Sequence, residues 1–157
     1  MNVSAKTIAT LAATLCATTA LSEDYQISRS IELSAPAEAV WSVIGDFCDI
    51  DDWHPNVTAC ALKVSDGALV RVVTTNEGKE AVHQRIAKEA GISYTYKTAL
   101  SPLPVENFVV TLSIEPFEKP LIMWSARFSS KDPATEQVIV DEIETGLSAI
   151  EEHFSKL

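Results

Sequence analysis

Histidine is the residue type in this chain best suited to proton transfer, and of the three present His54 has the most suggestive surroundings. It is flanked by Trp53 and Pro55 and preceded by Asp49, Asp51 and Asp52. Carboxylates close in space would favour the charged imidazolium and raise its pKa. Such a side chain could serve as an acid, a base or a donor to a bound molecule. A single histidine is weak evidence for catalysis, so the first reading is a residue held at a cavity mouth by packing and one hydrogen bond.

Aromatic residues offer a second chemistry. Trp41, Trp124, Tyr94, Tyr96 and Phe128 could stack on an aromatic or polycyclic molecule, with the tyrosine hydroxyls orienting it. Aromatic side chains on an apolar strand face are more often plain core. Arg85 reads as a solvated side chain on the convex face, because strand alternation sends it opposite Gln84 and Ile86. Other chemistries lack their signatures. His54, His83 and His153 show no close ligand spacing, and the Asp49, Asp51, Asp52 cluster lacks the glycine and terminal glutamate of a calcium loop. There is no glycine-flanked serine elbow, phosphate-cradling loop or nucleotide fingerprint. Neither metal nor cofactor is expected.

The elements that must position these residues follow from periodicity. Residues 25–33 alternate, with Ile27, Ile31 and Leu33 on one face, as a half-buried strand does. Pro36 fits the first position of a helix that carries Val40, Val43 and Ile44 and stops at Gly45. Asp46 is placed to cap a second short helix running to about Trp53. Strands are then predicted at 57–63, 68–75, 80–88, 92–98, 105–115 and 121–130, separated by turn signals such as Asp66-Gly67 and Asn76-Glu77-Gly78. Phe108, Val110, Leu112 and Ile114 alternate in one of the last two strands, and Ile122, Trp124, Ala126 and Phe128 in the other.

Asp132-Pro133 opens the final element, where Ile139, Ile143, Leu147, Ile150 and Phe154 form the stripe of one long amphipathic helix. Gly146 lies on that stripe at a cost of about 1 kcal/mol relative to alanine. It therefore admits close approach of the sheet or leaves room for something else. The expected fold is α+β: seven antiparallel strands curved around a long C-terminal helix, with two short helices after the first strand. One helix cannot fill so curved a sheet, and the remaining space would be a natural ligand cavity.

The first residues have the pattern of a secretory signal: Lys6 as the only charge, an uncharged run from Thr7 to Thr19, and small residues around Leu21. Cleavage is expected after Ser22, leaving residues 23–157 as one domain in a periplasmic or secreted location. The run is too short to span a bilayer, so no membrane association is expected after cleavage. Cys48 and Cys60 then remain, and an oxidising compartment would allow them to pair; two separate buried thiols are the alternative. The 157-residue chain has a formal charge of −10 and no basic cluster, which argues against nucleic acid and anionic membranes as partners.

The order of elements resembles the helix-grip superfamily of START and Bet v 1-like domains, and within it the polyketide cyclase/dehydrase-like SRPBCC group. The likeness is carried by Ser34 through Trp41, Gly45-Asp46-Phe47, Trp53-His54-Pro55, Cys60, Arg85-Ile86, Tyr94-Thr95-Tyr96, Leu103-Pro104-Val105, Trp124 through Phe128 and Gly146-Leu147. A signal ahead of such a domain also resembles the periplasmic MxaD-type accessory proteins of methanol oxidation. The resemblance implies a ligand site whose basic, acidic and tyrosine positions in abscisic acid receptors match His54, Gln84 and Phe108; the last two lack the charge and the hydroxyl, which argues against hormone-like carboxylate recognition and implies an aromatic, mainly apolar pocket. Trp53, Tyr94, Tyr96, Val110, Trp124, Ile143 and Leu147 complete the implied set, and residues 100–104 resemble the loop that gates the cavity.

Fold alone does not name an activity. The leading expectation is an accessory or binding protein for a small hydrophobic or aromatic molecule. Its acidic surface would suit docking on a basic periplasmic redox partner. The alternative is a cyclase-like or dehydratase-like enzyme with His54 as base and Tyr96 or Gln84 orienting an enolisable substrate.

Overall fold

The computed structural model describes residues 21–156. The expected signal segment, Cys16 included, lies outside the described residues except for Leu21 and Ser22. The elements are β1 (Glu23–Glu32), α1 (Ala37–Ile44), α2 (Ile50–Trp53), β2 (Val57–Ser65), β3 (Ala68–Thr75), β4 (Glu80–Glu89), β5 (Ser93–Leu100), β6 (Glu106–Glu115), β7 (Leu121–Ser130) and α3 (Ala134–Ser155). The seven strands form one antiparallel sheet in the order β1-β7-β6-β5-β4-β3-β2. Only the β1 to β7 pairing joins strands distant in sequence, and it brings Tyr25 opposite Phe128 and Ile27 opposite Ala126.

Period-two alternation sends one face of each strand inward, where Leu112, Ile114, Ile122, Trp124 and Phe128 are buried. The α3 stripe meets that face with Ile139, Ile143, Leu147 and Ile150, all buried. The β2–β3 hairpin turns on Asp66 and Gly67 at φ 51° and 76°. Both central residues are thus left-handed, the conformation a two-residue hairpin needs to match strand twist.

Local details differ from the sequence expectation where side chains compete for backbone groups. Pro36 has extended backbone, φ −59° and ψ 142°, so it precedes α1 and its carbonyl accepts the first helical bond from Val40. Asp46 does not cap α2. Its carboxylate accepts the adjacent Phe47 N–H at 2.7 Å and shapes the turn between the helices. Asp132 does cap α3, accepting from the Ala134 N–H at 3.0 Å.

Cys48, in the turn before α2, is disulfide-bonded to Cys60 on β2, with Cα atoms 5.5 Å apart. Asp51 adds a second tie by accepting the Cys60 N–H at 3.0 Å. Together they hold the edge strand β2 to the helical segment. Among the described residues no helix is long and apolar enough to cross a membrane.

Candidate functional site

The helix α3 meets the sheet mainly along β1 and β7, which leaves the concave side of the remaining strands partly uncovered. The space between is a cavity of about 560 Å³. Val73, Tyr96, Val110, Trp124, Ala126 and Ile143 make much of its wall. Asn56, Asn76, Glu77, Lys79, Ser101 and Glu142 line it too, so its boundary mixes apolar and polar groups. The loop 101–103 borders it and is held by a bond from the Leu103 N–H to Ser101 Oγ at 3.0 Å. A second, more open recess of about 770 Å³ shares Thr98 and Phe108 with the cavity and is otherwise edged by charged residues such as Asp24, Lys97 and Arg127 together with Tyr25, Val109 and Phe128.

His54, Tyr96, Phe108, Val110, Trp124 and Ile143, all expected at a ligand site, border the cavity. Trp53, Gln84, Tyr94 and Leu147 do not, and each correction has a packing reason. Trp53 stands edge-on to Trp124 with centroids 5.7 Å apart, and its buried Nε1 has no partner among the described residues. Tyr94 is core, in contact with Trp41 and Phe47. Leu147 is buried in the same apolar cluster. Gln84 pairs across the sheet with Val70, whereas its neighbours His83 and Arg85 pair with Arg71 and Tyr96. Directly opposed residues share a face, so Gln84 faces outward and His83 inward. Arg85 is therefore not a convex-face residue; its guanidinium lies 5.7 Å from the Phe47 ring centroid.

His54 is 4% exposed and engaged at both ring nitrogens. The Asn56 backbone N–H donates to Nδ1 at 3.3 Å, which leaves the proton on Nε2 to donate to the Glu142 carbonyl at 3.2 Å. Burial pulls its pKa below the ordinary histidine value, opposed by Glu142 and aided by Arg71. The expected upward pull from Asp49, Asp51 and Asp52 is absent. Those carboxylates act on one another instead: burial and the charges of Asp46, Asp52 and Asp51 raise the pKa of Asp49. The imidazole lies so close to α3 that a Cβ on Gly146 would stand 2.8 Å from its Cδ2.

Deeper in the fold lies a cation that sequence patterning passes over. Arg71 is 0% exposed. Its Nη1 donates to the Phe47 carbonyl at 2.6 Å and its Nε to His83 Nδ1 at 3.0 Å, while Nη2 has no partner among the described residues. The guanidinium sits 4.4 Å from the Phe47 centroid and 4.6 Å from that of Tyr96, distances at which a ring face attracts a cation. His83 stacks on Tyr96 with centroids 4.4 Å apart. Burial, then the Arg71 charge, holds the His83 pKa well below its usual value, so this imidazole is neutral. Burial also pushes the Tyr96 phenol up to about 12. Among the described residues, no group of three or more histidine, cysteine or acidic side chains is arranged to hold a metal ion.

A curved antiparallel sheet, a long helix across it and a cavity between them define the helix-grip class of domain. Residues 25–155 match the family described as polyketide cyclase / dehydrase and lipid transport, and the chain belongs to that family. No protein of curated function matches it. A protein of Thermobifida fusca, known from a solution NMR structure, is 29% identical with a TM-score of 0.73, the match covering 84% of this chain and 94% of that one. An uncharacterized protein of Bacillus thuringiensis is 24% identical with a TM-score of 0.75 over 83% of this chain and 98% of its own. The Zhui aromatase/cyclase from Streptomyces sp. R1128 is 14% identical with a TM-score of 0.67, covering 85% and 95%. At these lower identities the likeness concerns the fold.

Proposed function

We propose that this protein is an exported binding or accessory protein that holds a small hydrophobic or aromatic molecule between the sheet and α3. The observation that carries the reading is the cavity of about 560 Å³, within the range of small-molecule sites and walled by aromatic and aliphatic side chains together with polar groups. The family's description, which includes lipid transport, supports the same ligand class. Export is supported by the signal-like first residues and by the Cys48–Cys60 bridge, a bond that persists in oxidising compartments.

The geometry weighs against the enzyme reading built on His54. Both of its nitrogens are committed within the protein, which leaves no free lone pair to take a proton from a substrate. The net charge of −10 supports docking on a basic redox partner, as the resemblance to MxaD-type proteins suggests, through steering that weakens with salt.

Native followed by denaturing mass spectrometry on protein expressed through the periplasm tests the central reading. A mature chain beginning at Glu23, with an added mass that leaves on denaturation, is the expected result. Failure to take up any hydrophobic or aromatic compound, in cells or from a panel in solution, would overturn it.

A further inference from the structure

Resting on the reading of the cavity as a ligand site, we propose that its inner wall recognises an acceptor oxygen, a carboxylate or carbonyl borne by the apolar ligand, through the Nε2–H of His83 and the hydroxyl of Thr98. Both residues border the cavity. They sit directly opposite each other on β4 and β5, at an irregularity between the Val82 and His83 pairings. Opposed side chains on one face stand close enough to share a ligand atom, and such bulges re-aim side chains beside sites.

Each has an unused donor. Among the described residues, Thr98 Oγ1 is buried with no hydrogen-bond partner. His83 uses Nδ1 to accept from Arg71, and Nε2 has no partner among the described residues. Arginine can only donate, so the bond from its Nε fixes the lone pair on Nδ1 and the proton on Nε2. His83 is thus a neutral donor of fixed tautomer, and Arg71 is a positioning residue acting through it. Burial of unmade donors carries a penalty that a ligand oxygen would remove. Hydrocarbon alone would satisfy neither donor.

The test compares 2-naphthoate, 2-acetonaphthone and 2-methylnaphthalene, followed by tryptophan fluorescence and calorimetry. The two oxygenated probes should bind at least about tenfold more tightly than the hydrocarbon, the yield of one or two net hydrogen bonds. A further preference for naphthoate assigns a carboxylate, and parity with the ketone a carbonyl. Thr98→Val, nearly isosteric, and His83→Phe should each reduce the preference while hydrocarbon affinity holds. Arg71→Met should do the same and alter the imidazole 15N–1H signals of His83, which in the unsubstituted protein should show the proton on Nε2.

Equal binding of all three probes, or a preference that survives Thr98→Val and His83→Phe, overturns the oxygen site and leaves the cavity reading standing. A proton on Nδ1 overturns it as well, even where a variant fails to fold. Failure of every probe to bind overturns this proposal, and failure of the wider panel as well removes the cavity reading.

Discussion

Replacing Gly146 by alanine should destabilise the protein, contrary to the usual effect of that exchange inside a helix. The added Cβ would lie 2.5 Å from Trp124 Cζ3, 2.8 Å from His54 Cδ2 and 2.9 Å from His54 Nε2. Carbon atoms rest at about 3.5–4.0 Å, so one or both rings must retreat by roughly 1 Å. Neither is free to do so. Trp124 stands edge-on to Trp53 and to His54, and His54 is bonded to the Glu142 carbonyl. Overpacking of this kind costs about 1–3 kcal/mol, and the strained His54 bond roughly 1 kcal/mol more. Alanine returns about 1 kcal/mol of helix propensity. The balance is a loss of about 2 kcal/mol, or roughly 6–10 °C in Tm for a domain of this size. Thermal unfolding by circular dichroism, with exposed Ser148→Ala on the same helix as control, measures it. A Gly146→Ala protein as stable as the parent would refute the close packing of His54 and Trp124 on α3.

Acidification should also destabilise the fold. Burial holds His54 and His83 below the ordinary histidine value of about 6.5, so the unfolded chain takes up protons first as pH falls. Their stabilising contribution is complete above about pH 6.5 and is lost toward the depressed folded-state values, at up to about 1.4 kcal/mol per pH unit for each histidine. Urea midpoints at about pH 7.5 and about pH 5.5 should show the drop, with a shallower dependence in His83→Gln; an increase on acidification would contradict it. Serine at both Cys48 and Cys60 removes a link across 12 residues and should cost about 3 kcal/mol by the chain-entropy estimate. An unchanged denaturant midpoint under non-reducing conditions would show the bond to be dispensable. Ala126→Phe projects a ring from β7 into the cavity and should weaken aromatic probes by at least about tenfold. Undiminished binding by a folded variant would place the ligand elsewhere.

Much of the architecture is local and so legible in residue order. The bounds of β3 and β7 coincide with the expected 68–75 and 121–130, because alternation and flanking turns act within a few residues. The stripe of α3 is legible for the same reason, and Gly146 stood out as an exception that needed a neighbour. Which residues face the cavity was less accessible. Correspondence with relatives places Gln84 inward, and one step of register exchanges it with His83. Arg71 has only a faint local signal: in Leu69, Arg71, Val73 it holds the inward phase of an apolar strand, where an arginine is the exception.

Residue order alone thus determined the number and sequence of elements, the half-buried face of most of them, and a formal charge of −10. Tertiary structure decided that His54 is a clamp on α3 with a lowered pKa, that Cys48 meets Cys60, and that Arg71 is buried against His83 and two aromatic faces. His54 and the Glu142 carbonyl are 88 residues apart in the chain and 3.2 Å apart in space. Periodicity reports which way a side chain points relative to its own strand or helix. Burial, hydrogen bonding and pKa depend on what the rest of the chain places opposite it, and only the folded sheet and helix supply that.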